Sequence, residues 1–359
     1  MSLFAVMLGL LAGAGLMAVT GNNPVEGFLY LFRGGTMNIE RIGNTLATAT
    51  PLIFAGLSVA FAFKTGLFNI GGAGQMLIGG LCATAIGLTF DWPKPILLTV
   101  IIIASLIGGG LWAALPGLLK AKYNVHEVVA TIMMNWIAYW AIYYIIPQHF
   151  KGPFLETESM RIPAAASLKV PWLTSLFSGS YINLGFFLAL IFIIIIAFIL
   201  ERTTLGFELK AVGYNRDAAE AAGISVNRNI IFSMAIAGAL AGLGGATFYV
   251  GFANNMQIGV LPVQGFDGIA VALLGANAPW GVFAAAVFFG LLHTGKGFMS
   301  AMTAIPPEIS DTIIATIIYF AATSVLIERN WDKLLKLDFR KLFARLTGKK
   351  LETNTGGEQ

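Results

Sequence analysis

The 359-residue chain is 57% hydrophobic and only 11% charged, with 22 lysines and arginines against 18 acids and a net charge of +4. A soluble globule of this length carries roughly a quarter of its residues as charges, so the missing polar surface implies lipid. The positive excess gathers at the C-terminal end rather than along a surface that would read nucleic acid, and the single cysteine, Cys82, excludes an internal disulfide or a multi-cysteine metal site.

Long apolar runs predict about ten transmembrane helices, near residues 2–20, 45–63, 67–90, 95–119, 126–147, 182–200, 229–252, 266–278, 280–299 and 310–328. A helix rises about 1.5 Å per residue, so the charge-free run from Ile182 to Leu200 matches a bilayer core about 30 Å thick. Unbroken aliphatic sequence from Ile191 to Ile196 excludes the alternating strands of a membrane barrel. The fold class is therefore all-α, a polytopic membrane helix bundle occupying residues 1–328. The first run lacks a basic leader and is long for a signal peptide, so it reads as a retained helix. With the N-terminus inside, loops on the two sides carry seven basic residues each, and a basic tail over residues 329–359 adds eight more. That bias places both termini in the cytoplasm of a multi-pass plasma-membrane protein. Trp331, Leu334, Leu335, Leu342, Phe343 and Leu346 recur at helical spacing within the tail, the pattern of an interfacial helix.

Between the second and third runs, glycines and the amides Asn69 and Gln75 interrupt the apolar sequence. Irregular backbone at membrane depth is tolerated only where protein buries it or a wet cavity meets it. Five spans later, Gly251 to Gln257 and Gln264 to Gly268 form a second break before a short Gly- and Ala-rich helix. An offset of five spans reverses direction, so the two breaks suggest an inverted repeat and a transport pathway; close helix packing, as expected at Gly9 with Gly13 and Gly238 with Gly242, is the alternative. Asn69, Gln75, Asn135, Trp136 and Asp267 are the candidate pathway residues. Asn135 stands mid-helix, where an amide in lipid needs either a helix partner or the pathway. Asp267 suits a helix cap or a pathway role equally. Asn124 with Glu127 three residues later suggests a capping box at the start of the fifth span.

The loop over residues 201–228 contains a short helical unit from Asn215 to Gly223. Asn215 suits the N-cap, Asp217 the first turn, and Gly223 a left-handed stop. Ala218, Ala219 and Ala222 offer a small-residue face for a groove, although a solvated loop helix fits the same spacing. Gly290 to Lys296 has the opening of a phosphate-binding loop, but Gly297 stands where a magnesium-binding Ser or Thr is required, and the stretch ends a membrane helix. ATP binding by this chain is not expected. His126, His149 and His293 lack the spacing of a metal cage, and no set of nucleophile and base marks an intramembrane enzyme.

The stretch from Gly213 to Ile224 resembles the coupling helix of ABC importer permeases, in the branched-chain amino acid, ribose and nucleoside permease family. Phe61 to Ile70, His126 to Asn135 and Gly265 to Gly275 are similar to the nucleoside subgroup, closest to guanosine-type importers. One departure is Ala73, where family members commonly carry an acid. The resemblance implies a permease that imports nucleosides by alternating access, alongside a second related permease and an extracellular substrate-binding lipoprotein. It also implies that ATP and magnesium are held on a separate ABC ATPase subunit and that this chain has no cofactor of its own. Gly213 joins Asn215, Asp217, Ala218, Ala219, Ala222 and Gly223 as the ATPase-coupling residues. Sugar or branched-chain amino acid cargo is the alternative within the same family.

Overall fold

A computed structural model describes residues 2–153 and 156–329; the tail predicted beyond Arg329 lies outside the described residues. Fourteen α-helices occur among them. Seven are long and apolar enough to cross a membrane: α3 (Ile39–Lys64), α4 (Gly72–Thr89), α5 (Lys94–Tyr123), α6 (Glu127–His149), α8 (Gly185–Arg202), α11 (Val226–Ala246, continued by a π-helical turn, Thr247–Ala253) and α13 (Pro279–Met302). The other predicted spans are also helical, as α1 (Ser2–Val19), the short α12 (Gln264–Leu274) and α14 (Glu308–Arg329). Four further helices, α2 (Pro24–Thr36), α7 (Pro171–Leu176), α9 (Thr204–Tyr214) and α10 (Arg216–Ala221), lie in the connections.

Burial follows the helical period. On α5, Ser105, Gly109, Ala113 and Pro116 are buried while Ile103, Ile107, Leu111 and Leu115 are exposed. Helix α8 turns Ala189, Ile193, Ile196 and Leu200 inward and Phe187, Ile191, Ile194 and Phe198 outward. Continuous aliphatic stripes of this size mark surfaces covered by lipid or by another apolar partner. The inner faces use small residues instead. Helix α11 packs most extensively on α5, where a methyl group on Gly109, Gly238 or Gly242 would collide with the facing backbone or with Ala113. Lipid offers no hydrophobic drive for helix association, so such close approach supplies the dispersion contacts instead. Gly9 and Gly13 likewise bring α1 onto Ile317 and Ile313 of α14.

Helix α3 is the central post. Every residue from Ala49 to Ala62 is buried, enclosed by α8, α11, α12 and α13. Its neighbours set a common depth: Ala55, near its middle, meets Gly268 of α12, and Phe54 meets Gly244 of α11. On the other side of α11, Gly245 lies against Met76 of α4. The starts of α4 and α12 are therefore held at the mid-depth of the bundle.

The expected capping box at α6 does not form. Asn124 adopts φ 52° as the left-handed stop of α5, and His126 is the N-cap of α6, its Nδ1 accepting from Val128 N at 3.3 Å. Asparagine tolerates the left-handed region, and α5 runs up to it, leaving no extended residue there to act as a cap. Glu127 remains in the first turn, paired with Lys120 at 3.0 Å.

Candidate functional site

The first break places Asn69 and Gln75 in a reciprocal carboxamide pair: Asn69 Nδ2 donates to Gln75 Oε1 at 2.9 Å and Gln75 Nε2 donates to Asn69 Oδ1 at 3.0 Å. Gly71 N donates to the same Asn69 oxygen at 3.0 Å. Asn135 spans the break from α6, its Oδ1 accepting from Gly74 N at 2.8 Å and its Nδ2 donating to Ile70 O at 3.0 Å. All three side chains are buried. They satisfy the backbone groups that the interruption of the helix frees, which resolves the apparent cost of amides in an apolar core. Trp136 points away from this network, half-exposed on the outer face of α6, with its ring 5.5 Å from that of Tyr139 and edge-on to it.

The two breaks meet. A methyl on Gly72 would lie 2.8 Å from the carbonyl oxygen of Gly265, and one on Gly265 would overlap Ala73. The first turns of α4 and α12 therefore touch through bare backbone. Two helix N-termini this close present like partial charges to each other, and Asp267 in the first turn of α12 places a negative charge where it offsets them.

Asp267 lines a cavity of about 530 Å³ between α3, α12, α13 and α14. His293 Nε2 lies 3.2 Å from Asp267 Oδ2. Lys296, one turn further along α13, donates to Asp311 Oδ1 at 2.8 Å in the same cavity. A second cavity, about 420 Å³, opens beside the π-helical turn and shares Phe252, Val263 and Gln264 with the first. Its walls are the aromatic rings of Phe248, Tyr249 and Phe252 and the amides of Asn255, Gln257 and Gln264. Sequence reasoning missed His293 and Lys296, which it read as a lone histidine and as part of a false phosphate loop. Their i, i+3 spacing on one helix face was the available signal. Gly290 to Lys296 is continuous helix, so its backbone cannot wrap a phosphate.

At the opposite end, residues 203–225 form two helices at an angle. Asn215 ends α9 and caps α10, its Oδ1 accepting from Ala218 N at 3.0 Å, and Gly223 takes φ +84°. Asp217 occupies the first turn. Glu208 ties the unit to α11 through Asn229 Nδ2 at 2.8 Å and Arg228 at 3.4 Å. Gly213 lies directly on the carbonyl of Lys64 and close to Gly66, at the end of α3. The small-residue face is split: Ala219 is buried in the protein, while Ala218 and Ala222 are exposed. Tyr214, 92% exposed, and Phe207 extend the exposed surface, and the sequence reading did not single out either.

A lipid-facing bundle whose broken helices meet at mid-depth beside a cavity with charged side chains in its wall, with a capped helix pair at one end, fits the class of membrane transport permeases. The chain belongs to the branched-chain amino acid transport system / permease component family, whose model matches residues 41–322. It is 43% identical to the guanosine ABC transporter permease protein NupP of Bacillus subtilis, over 93% of this chain and 96% of that one. It is 41% identical to the nucleoside ABC transporter permease protein NupB of Lactococcus lactis, over 91% of each. The guanosine ABC transporter permease protein NupQ of Bacillus subtilis is 27% identical over 70% of this chain. No solved structure matches the chain.

Proposed function

We propose that the chain is the membrane-spanning subunit of an ATP-driven nucleoside importer. The observation that carries this reading is identity above 40% over nine-tenths of the chain with a guanosine and a nucleoside permease. The resemblance at Gly213 to Ile224 agrees with it. In this reading residues 201–228 face the cytoplasm, and α10 seats in a groove of a separate ATPase subunit through Ala218, Ala222 and Tyr214. Both named permeases from one Bacillus species, NupP and NupQ, resemble this chain, which supports pairing with a second, related permease. An extracellular lipoprotein delivers the nucleoside, and ATP-driven closure of the ATPase pair switches the pathway between outward-open and inward-open forms. Asp267, His293 and the shared cavity wall lie on that pathway, with Asn69, Gln75 and Asn135 bracing the break beside it.

The test is uptake. Cells expressing the chain with its neighbouring transporter subunits take up labelled guanosine in an ATP-dependent manner, and labelled ribose and leucine are not accumulated. Accumulation of ribose or leucine without nucleoside would overturn the assignment of cargo.

A further inference from the structure

The π-helical turn sets two unlike cavities side by side, and Phe252 forms the wall between them. π-helical turns inside α-helices concentrate at functional sites, because one extra residue re-aims the side chains that follow. Here the turn brings Phe248 and Phe252 onto one face, with rings nearly parallel at 18° and centroids 6.0 Å apart. The turn is held from outside: Leu168 N donates to Val250 O at 3.1 Å, and Ile162 N donates to Asn254 O at 2.8 Å. Glu158 accepts from Asn255 Nδ2 at 2.6 Å, which fixes that amide and leaves its oxygen directed elsewhere.

On one side of Phe252 the cavity is aromatic with amides at its edge. Flat rings offer a stacking surface that any nucleobase can use, and carboxamides pair with the donor and acceptor edge of a base. On the other side the cavity contains a carboxylate, Asp267, positioned by His293. A carboxylate can accept from ribose hydroxyls, as it does in dinucleotide-binding folds. The cavities, about 420 and 530 Å³, each fall in the range that takes a small molecule, and Gln264 reaches both.

Resting on the nucleoside reading above, we infer that the two cavities form one nucleoside subsite, with the base stacked on Phe252 among Gln257 and Gln264 and the ribose hydroxyls on Asp267. The subsite selects intact ribonucleosides over free bases, free ribose and deoxynucleosides, because only a ribonucleoside both stacks its base on Phe252 and presents the full pair of ribose hydroxyls to Asp267.

Photolabelling of the full-length chain in lipid nanodiscs with 8-azidoguanosine tests this directly. The expected adduct falls between residues 248 and 264 and is blocked by excess guanosine but not by ribose. Phe252→Ala lowers guanosine-protected labelling about tenfold, the order expected for loss of one base-aromatic stack, and Phe252→Trp restores it. Asp267→Ala weakens competition by guanosine more than competition by 2′-deoxyguanosine, bringing the ratio between the two towards one. A guanosine-protected adduct confined to the Trp136 face of α6 would overturn the subsite and leave nucleoside import standing. Failure of any protected labelling, together with failure of guanosine uptake by the complete transporter, would remove both.

Discussion

Gly72 and Gly265 touch through their backbones, with 2.8 Å between the position of a Gly72 Cβ and the Gly265 carbonyl oxygen. They lie almost two hundred positions apart in the chain, at the starts of two helices that each follow a break. Gly265→Ala is therefore expected to push α12 off α4, at a cost of about 1–3 kcal/mol typical of overpacking. Thermal melting of the detergent-solubilised protein reads this, and an unchanged melting temperature with full uptake would show the contact to be dispensable.

The carboxamide pair gives a second expectation. Asn69→Leu leaves the Gln75 carboxamide and the Gly71 amide short of partners, and a buried group left unsatisfied costs about 1–3 kcal/mol. Gln75→Leu strands Asn69 in the same way. Because each single change disables one shared interaction, the double variant should be less destabilised than the sum of the two. Strict additivity in melting experiments would mean that the two amides act independently.

Much of this was legible beforehand, for a physical reason. The bilayer imposes length and apolarity on each span, so the helices appear where the apolar runs lie. Asn215 and Gly223 were readable as caps because capping is local in sequence. Contacts between distant segments were not readable: nothing near Asn135 announces that its amide bonds Gly74 and Ile70, and nothing near His293 announces Asp267. Asn124 misled because asparagine serves equally well at a helix start and at a left-handed stop, and only the length of α5 decides. The amphipathic α2 went unseen because its glycines, of which Gly34 and Gly35 pack on α13, dilute its apolar pattern.

Helix α10 separates docking from folding. Ala219→Arg forces a charge into a buried position and should destabilise the packing of α10, whereas Ala218→Arg and Tyr214→Ala alter exposed positions. The exposed variants are expected to fold with melting temperatures within about 1 kcal/mol equivalent of the parent, yet to lose at least tenfold in ATP-dependent uptake. Normal uptake in both would count against the proposed ATPase contact at this face.

Lys169 lies in the connection before α7, where burial first and Arg161 second push its ammonium below the ordinary lysine value of 10.5. The folded state therefore binds that proton less well than the unfolded chain. The charged form costs stability below the depressed value, and this cost fades as pH rises towards 10.5. Lys169→Met should gain most over the parent near neutrality and lose that advantage in alkali. A melting-temperature difference that grows with pH would contradict the sign.

Gly213 rests on the last carbonyl of α3, the same helix whose middle carries Gly268 on Ala55. No side chain cushions the lower joint, so a tilt of the α9 and α10 elbow bears straight on the foot of the post. In the proposed importer, movement of that elbow would reach the helix that packs on Gly268, the neighbour of Asp267. A bulky residue at 213 would thus act like a wedge in that joint, and in the proposed importer it is expected to lower uptake even where the exposed face of α10 is unchanged.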